Sequence, residues 1–248
     1  MCNRLTLIVA LLALGATSGV STSAQARPKS GAAKPPKESV DPAVALRQAA
    51  LAGDVAAVRK ALAEGADPWA TDRAARSTVD LAIGGLLSGT EEVGEVLPLL
   101  LAVAASSDVQ QQARQVSLVR AAERGSVGAV AALLDAGAVA GQTDRFGVGP
   151  IQSAAAMGHQ AVITRLLASN AHIDCADGDG QTALLAATRK GRRMIALKLL
   201  KLGADPRRTD SNGATALHHA SRSGFIRLVD ALLEAGASAK NTDRRGVT

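Results

Sequence analysis

Apolar residues in the second half of the chain recur in a fixed order. From Gly213 to Ala237 the sequence reads GATALHHASRSGFIRLVDALLEAGA. Leu217 and Ala220 stand three apart, which puts both on one face of a short helix, and Thr215 is placed to cap that helix through its hydroxyl. Gly224 is expected to end it, because a residue without Cβ takes the left-handed conformation that turns the chain sharply. Ile226, Val229, Leu232 and Leu233 then form the apolar stripe of a second helix, which Gly236 closes. The polar SAKNTDRRG that follows, with Asp243 and Gly246, fits a tight hairpin-like turn. One unit is therefore helix, turn, helix, protruding turn.

The unit has a period. Gly125, Gly158, Gly191 and Gly224 fall 33 residues apart. Leu118, Ile151, Leu184 and Leu217 repeat with them in the first helix, and Leu133, Leu166, Leu199 and Leu232 in the second. Asp144, Asp177, Asp210 and Asp243 open each unit. A unit this thin cannot bury an apolar face alone, so each must stack on its neighbours and stability is shared among many weak layers. Aromatic residues make up only 1% of the chain, as expected where thin layers approach closely and no large central core exists.

These residues resemble the ankyrin repeat. Its Thr-Pro-Leu-His-x-Ala core stands here as Thr-Ala-Leu-His-His-Ala at 215–220 and Thr-Ala-Leu-Leu-Ala-Ala at 182–187, each followed by the family's L-L-x-x-G-A ending. The resemblance implies an all-α solenoid of helix-turn-helix units with protruding β-turn or hairpin loops. It extends over residues 41–248 as about six repeats, the last six residues opening a seventh at 243–248. Asp41 and Pro42 read as the N-cap and first position of the first helix. The second repeat, 74–112, departs from the pattern. Val79 to Leu118 is 39 residues, one period plus six, so this stretch is expected to hold a longer inter-helix turn or an extended helix. In the fourth repeat Gly149 replaces the usual Thr and Gln152 the usual His, which puts the cap of its first helix in question.

The N-terminus follows other rules. A basic start (MCNR), the apolar run LTLIVALLALGA and the small residues Ala24 and Ala26 have the order of a secretory signal peptide over residues 1–26. Residues 27–40, RPKSGAAKPPKESV, read as a flexible Pro- and Lys-rich linker. Cleavage after Ala26 removes Cys2 and leaves Cys175 as the sole thiol, so no intramolecular disulfide forms. No later stretch is long and uncharged enough to span a membrane. A soluble periplasmic or secreted protein is expected, without stable membrane insertion after cleavage.

Little in the repeats has the spacing of a catalytic or metal site. His218 and His219 are adjacent and so face different sides of a helix. The resemblance gives His218 and His159 structural roles, His218 as a hydrogen bond between repeats. His172 and Cys175 lack a third partner for nucleophilic chemistry, and DGDGQT at 177–182 lacks the downstream carboxylate of a calcium loop. Glu91, Glu92 and Glu95 read as a solvated helix start. No enzyme activity, cofactor or metal is expected.

Binding is the remaining expectation. In the ankyrin family the concave surface is formed by turn tips and exposed positions of the first helices. By register the tips supply Arg145, Phe146, Val148, Asp179, Gln181, Ser211, Asn212, Arg244 and Arg245, and the helices Arg124, Met157, Arg189, Lys190 and Arg222. Phe146 stands where no core requires it, and an aromatic beside Arg145 has the composition of a binding hot spot. The net charge of +6 and these arginines favour an acidic protein surface, with anionic lipid or glycan as further possibilities. Nucleic acid is disfavoured, since no aromatic platform is interleaved with the basic residues. The abrupt end after DRRGVT leaves a C-terminal stacking edge as a surface for self-association. The expected function is a noncatalytic protein-interaction scaffold in the periplasm. The alternatives are an immunity protein that neutralises a toxin, or an accessory or truncated part of a larger enzyme or repeat protein.

Overall fold

The computed structural model describes residues 41–74, 76–87, 93–103 and 108–248. The expected signal peptide (1–26) and linker (27–40) lie outside the described residues, as do Glu91 and Glu92. The described residues form one compact unit of twelve helices and no strand. The helices pair as α1 (Pro42–Ala52) with α2 (Val55–Ala63), α3 (Thr78–Leu87) with α4 (Val93–Leu101), and α5 (Asp108–Arg124) with α6 (Val127–Asp135). The series continues with α7 (Pro150–Met157) and α8 (Gln160–Ala168), α9 (Ala183–Arg189) and α10 (Arg193–Lys201), and α11 (Ala216–Arg222) and α12 (Ile226–Glu234).

The pairs stack in two layers. First helices pack in the order α1, α3, α5, α7, α9, α11, while α2, α4, α6 and α8 form a second layer that α10 and α12 resume. Leu118, Ile151, Leu184 and Leu217 are buried in the first layer, and Leu133, Leu166, Leu199 and Leu232 in the second. Each fully buried leucine is worth roughly 1.5–3 kcal/mol relative to exposure, so the 33-residue spacing of these positions drives the stacking. Asp41 caps α1 by accepting from the Ala43 N–H, with Pro42 at the first helical position. Gly224 adopts φ +67° and so turns the chain from α11 into α12.

The irregular stretch resolves as an extended helix. It belongs to the third repeat, because α5 begins at Asp108 and the boundary expected at 112 falls inside it. One period before Asp144 and Gly147 stand Gln111 and Arg114, which supply neither the carboxylate nor the glycine of a hairpin turn. The segment therefore remains helical. Its extra turns lie over the end of the first repeat: Gln110 donates to Asp67 (3.1 Å), and the Arg114 guanidinium sits 5.4 Å from the buried Trp69 ring. Asp80 anchors the same helix from the second repeat. Buried, it accepts hydrogen bonds from Ser117 Oγ (2.7 Å) and from Arg120.

Candidate interaction face of tips and first helices

Each protruding turn is built around one aspartate. Asp144 Oδ1 accepts from the Phe146 and Val148 N–H groups, Asp177 from Asp179 and Gln181, Asp210 from Asn212 and Ala214, and Asp243 from Arg245 and Val247. Asp72 does the same for Ala74 and Arg76. A carboxylate that satisfies two backbone donors fixes the tip without using the side chains that follow it. Successive tips are also tied by backbone. Gly178 N donates to the Gly147 carbonyl (2.7 Å), Ser211 N to Asp179 (2.9 Å) and Arg244 N to Asn212 (2.9 Å). The result is a row of side chains on a platform whose conformation does not depend on them.

Short polar bridges join the repeats beneath the tips. His218 accepts the Thr215 N–H at Nδ1 (3.1 Å), with the Thr215 hydroxyl 2.7 Å from the same nitrogen. The ring proton therefore sits on Nε2 and is donated to the Val247 carbonyl at 3.1 Å. The expected bond from His218 to the next unit is present, and Thr215 and His218 form the capping box of α11, the Thr215 side chain meeting the His218 backbone N–H as well as the imidazole. In the fourth repeat Gly149 gives no side-chain cap to α7. Gln152 nevertheless supplies the bridge, donating to the carbonyls of Cys175 (2.7 Å) and Gln181 (3.2 Å). On the outer layer His159 bonds the Glu123 carbonyl (2.9 Å), and Arg192, one period later, donates to the Ala156 carbonyl (3.0 Å).

Thirteen of the fourteen residues expected to meet a partner are exposed: Arg124, Arg145, Phe146, Val148, Met157, Asp179, Arg189, Lys190, Ser211, Asn212, Arg222, Arg244 and Arg245. Gln181 is the correction. It is 6% exposed, because it stands at the base of its turn and its backbone is taken by Asp177 and Gln152. Three of the arginines already have partners. Arg124 donates to the Asp80 carbonyl, Arg222 to His219, and Arg245 grips Asp243 through Nε and Nη2. Phe146 is 62% exposed and its ring carries the Arg145 guanidinium at 4.9 Å, a cation–π pair on the tip that Asp144 fixes.

The structure gathers five of these residues into one cleft. Arg189, Asn212, Arg222, Arg244 and Arg245 line a volume of about 380 Å³, with Asp210, His219 and Asp243 around its base. His219 Nε2 lies 3.2 Å from Asp210 Oδ2, and Nδ1 accepts from Arg222 Nη2 at 3.0 Å. Burial holds the His219 pKa below its ordinary value against the opposing pull of Asp210, with Arg222 and Arg189 acting in the same direction as burial. Burial alone raises the Asp210 carboxyl, but the Ala214 and Asn212 N–H groups and His219 outweigh it and leave the pKa lowered. Both imidazole nitrogens are engaged, so the His219 ring has no free lone pair for proton abstraction in this arrangement. Sequence periodicity missed Asp210 and His219 as the floor, because Asp210 reads as a repeat marker and His219 has no counterpart one period earlier, where Ala186 stands.

Cys175 is partly buried, and burial raises its pKa, opposed by the Gln152 hydrogen bond and aided by Asp174 and Asp177. Its sulfur faces Gln152 at 3.7 Å, while His172 turns its Nδ1 to the Asp174 N–H. The outer layer adds a feature that the tip-and-helix register did not anticipate. Met194 and Ile226 are exposed there, beside a Phe225 ring covered by Arg193 at 5.4 Å.

An all-α stack of this kind, with turn tips in register and a continuous outward row of side chains, defines a repeat-protein scaffold. The family model of ankyrin repeats in three copies matches residues 118–210 and again 163–243, and the chain belongs to the ankyrin repeat family. Among solved structures, the chain is similar to the ankyrin repeat domain of Bcl-3, described as a unique member of the IkappaB protein family. The two are 24% identical, with a TM-score of 0.68 over 82% of this chain and 91% of that one. That likeness bears on the fold. No curated protein matches the chain. As a member of this family the chain is a protein-interaction module, and among its described residues no helix is long and apolar enough to cross a membrane.

Proposed function

We propose that this protein is a noncatalytic scaffold of the bacterial periplasm that holds an exported protein with an acidic surface against its turn tips and first helices. The observation that carries the reading is the set of thirteen exposed residues, eight of them on turns whose backbones are fixed independently of them and five at the ends of the first helices. Pre-ordered side chains lose little entropy on binding, so an aromatic at one end and arginines at the other can act as anchors. The basic excess favours acidic partners and speeds their encounter. Export rests on the order of basic start, apolar run and Ala24-Gln25-Ala26 at the N-terminus.

Affinity capture from a periplasmic extract tests this, comparing wild type with Phe146→Ala/Arg145→Gln. A protein retained by wild type and lost by the still-helical variant supports the reading. Equal capture by both removes Phe146 from the interface, and the absence of any specific protein overturns the scaffold assignment. N-terminal sequencing of the exported chain tests the location, with Arg27 the expected first residue and Met1 the result that refutes export by this signal.

A further inference from the structure

The cleft between the fifth and sixth repeats has an imbalance of hydrogen-bonding groups. Every acceptor at its base is engaged. Asp210 takes two backbone N–H groups and His219, the free nitrogen of His219 takes Arg222, and Asp243 takes Arg245 together with two backbone N–H groups. The four arginines carry four positive charges against two from the carboxylates, leaving an excess of two. Among the described residues Arg189 and Arg244 form no side-chain ion pair, Arg189 feeling the field of Asp177 without pairing with it, and they reach the cleft from different elements, the end of α9 and the tip built on Asp243.

Two guanidinium groups lining one polar cleft are suited to a planar anion with two acceptor oxygens. Arg222 is held in place by His219 and Arg245 by Asp243, so the cleft walls are set before anything enters. From this geometry we infer that the cleft is an anchor for a carboxylate side chain, Asp or Glu, of the partner protein, with Arg189 and Arg244 as its ligands. The inference rests on the scaffold reading and names the contact that selects an acidic partner. It also separates two anchors on one face. Phe146 is on the fourth repeat's tip, two repeats from the tip bearing Asn212, or roughly 20 Å at the 8–10 Å spacing of packed helices.

The test is fluorescence anisotropy with the full chain and a labelled, end-capped hexaglutamate peptide, using hexaserine as the neutral comparison. Arg189→Gln and Arg244→Gln are each expected to weaken hexaglutamate binding by about tenfold or more, as for loss of a charge-assisted hydrogen bond. The Arg→Lys versions keep the charge but lose the fork and are expected to fall between. Arg59→Gln removes an equal charge from the exposed face of α2 and is expected to change affinity by less than about twofold. Equal weakening by Arg59→Gln and Arg189→Gln overturns the site in favour of general charge attraction. Displacement of the peptide by equimolar inorganic phosphate overturns the carboxylate assignment in favour of a phosphate site. Thermal unfolding of each variant, expected to match wild type because both side chains are exposed, keeps loss of fold apart from loss of binding. Capture of a periplasmic protein that survives Arg189→Gln/Arg244→Gln would leave the scaffold standing and remove the anchor, whereas peptide binding without any captured protein would do the reverse.

Discussion

Gln152 donates an amide hydrogen to the carbonyl of Gln181, 29 residues further along, in the same register in which His218 reaches Val247. The fourth and sixth repeats thus use different side chains for one bridge. The cost of the Gln152 version is local: its Oε1 is buried without a hydrogen-bond partner, and it occupies the space a Cβ at position 149 would need, 1.9 Å from that ideal position.

That overlap makes positions 149 and 152 a coupled pair. Gly149 has φ −95°, which any residue can adopt, so a clash with Gln152 is what opposes a larger residue there. Gly149→Thr alone is expected to cost about 1–3 kcal/mol by overpacking. Gln152→His alone leaves the Cys175 carbonyl without its side-chain donor. Together they rebuild the Thr215–His218 arrangement, and the double variant is expected to be more stable than the sum of the single changes by at least about 1 kcal/mol. Urea unfolding of the four proteins in the cycle measures this, and simple additivity refutes it.

Asp80 is the hinge between the second repeat and the lengthened α5. It is 3% exposed and accepts from Ser77, Ser117 and Arg120. Asp80→Ala would leave the guanidinium and the hydroxyl facing a cavity, and is expected to lower stability by about 3 kcal/mol. Asp135 pairs with Arg165 at 3.5 Å, but on the surface, and Asp135→Ala is expected to stay within about 0.5 kcal/mol of wild type. Chemical denaturation of the two variants under the same conditions checks the contrast.

What the sequence conveys depends on which part of the periodicity carries it. Leu133, Leu166, Leu199 and Leu232 are legible because burial demands the same residue type every 33 positions. The exposed tips are legible by register alone, so Phe146 and the arginines fall where the period puts them. Gln181 fails that reading, since register gives a position in a turn but not the direction in which a side chain leaves it. The cleft is less visible still. Asp210 caps its tip as Asp144, Asp177 and Asp243 cap theirs, and only the unrepeated His219 beside it turns that cap into the floor of a site. The lengthened α5 could be narrowed to a turn or a helix from length, but the absence of Asp and Gly at 111 and 114 is the sign that decides it.

His219 gives the fold an acid-sensitive point. Burial, opposed by Asp210 and reinforced by Arg222 and Arg189, holds its folded pKa below the ordinary 6.5. Its contribution is complete above 6.5 and is lost as pH falls from there toward the lowered folded value, because the unfolded chain takes the proton first. Asp210 acts in a lower window, below the ordinary carboxyl value of 3.8. Stability of wild type is therefore expected to decline between about pH 7.5 and 5 more steeply than that of His219→Gln, which lacks the titrating ring. Urea midpoints across that range decide the matter, and parallel slopes would sink it.

The backbone contact between neighbouring tips offers a way to disturb the interaction face without touching an exposed side chain. A Cβ on Gly178 would lie 3.1 Å from the Gly147 carbonyl oxygen and 3.2 Å from the Gly147 Cα, both backbone atoms that cannot rotate away. Gly178→Ala is expected to push the Phe146 tip from its neighbour, weaken the hydrogen bond from Gly178 N, and cost about 1 kcal/mol. Gly128 lies in α6 with nothing near its Cβ position, so Gly128→Ala is expected to stabilise by up to about 1 kcal/mol through helix propensity. If fixed tips are what present Phe146, Gly178→Ala will reduce partner capture and speed amide exchange at 178, while Gly128→Ala leaves both unchanged. Retained capture with accelerated exchange would show that the partner orders the tips itself, and the advantage assigned to a preformed platform would be wrong.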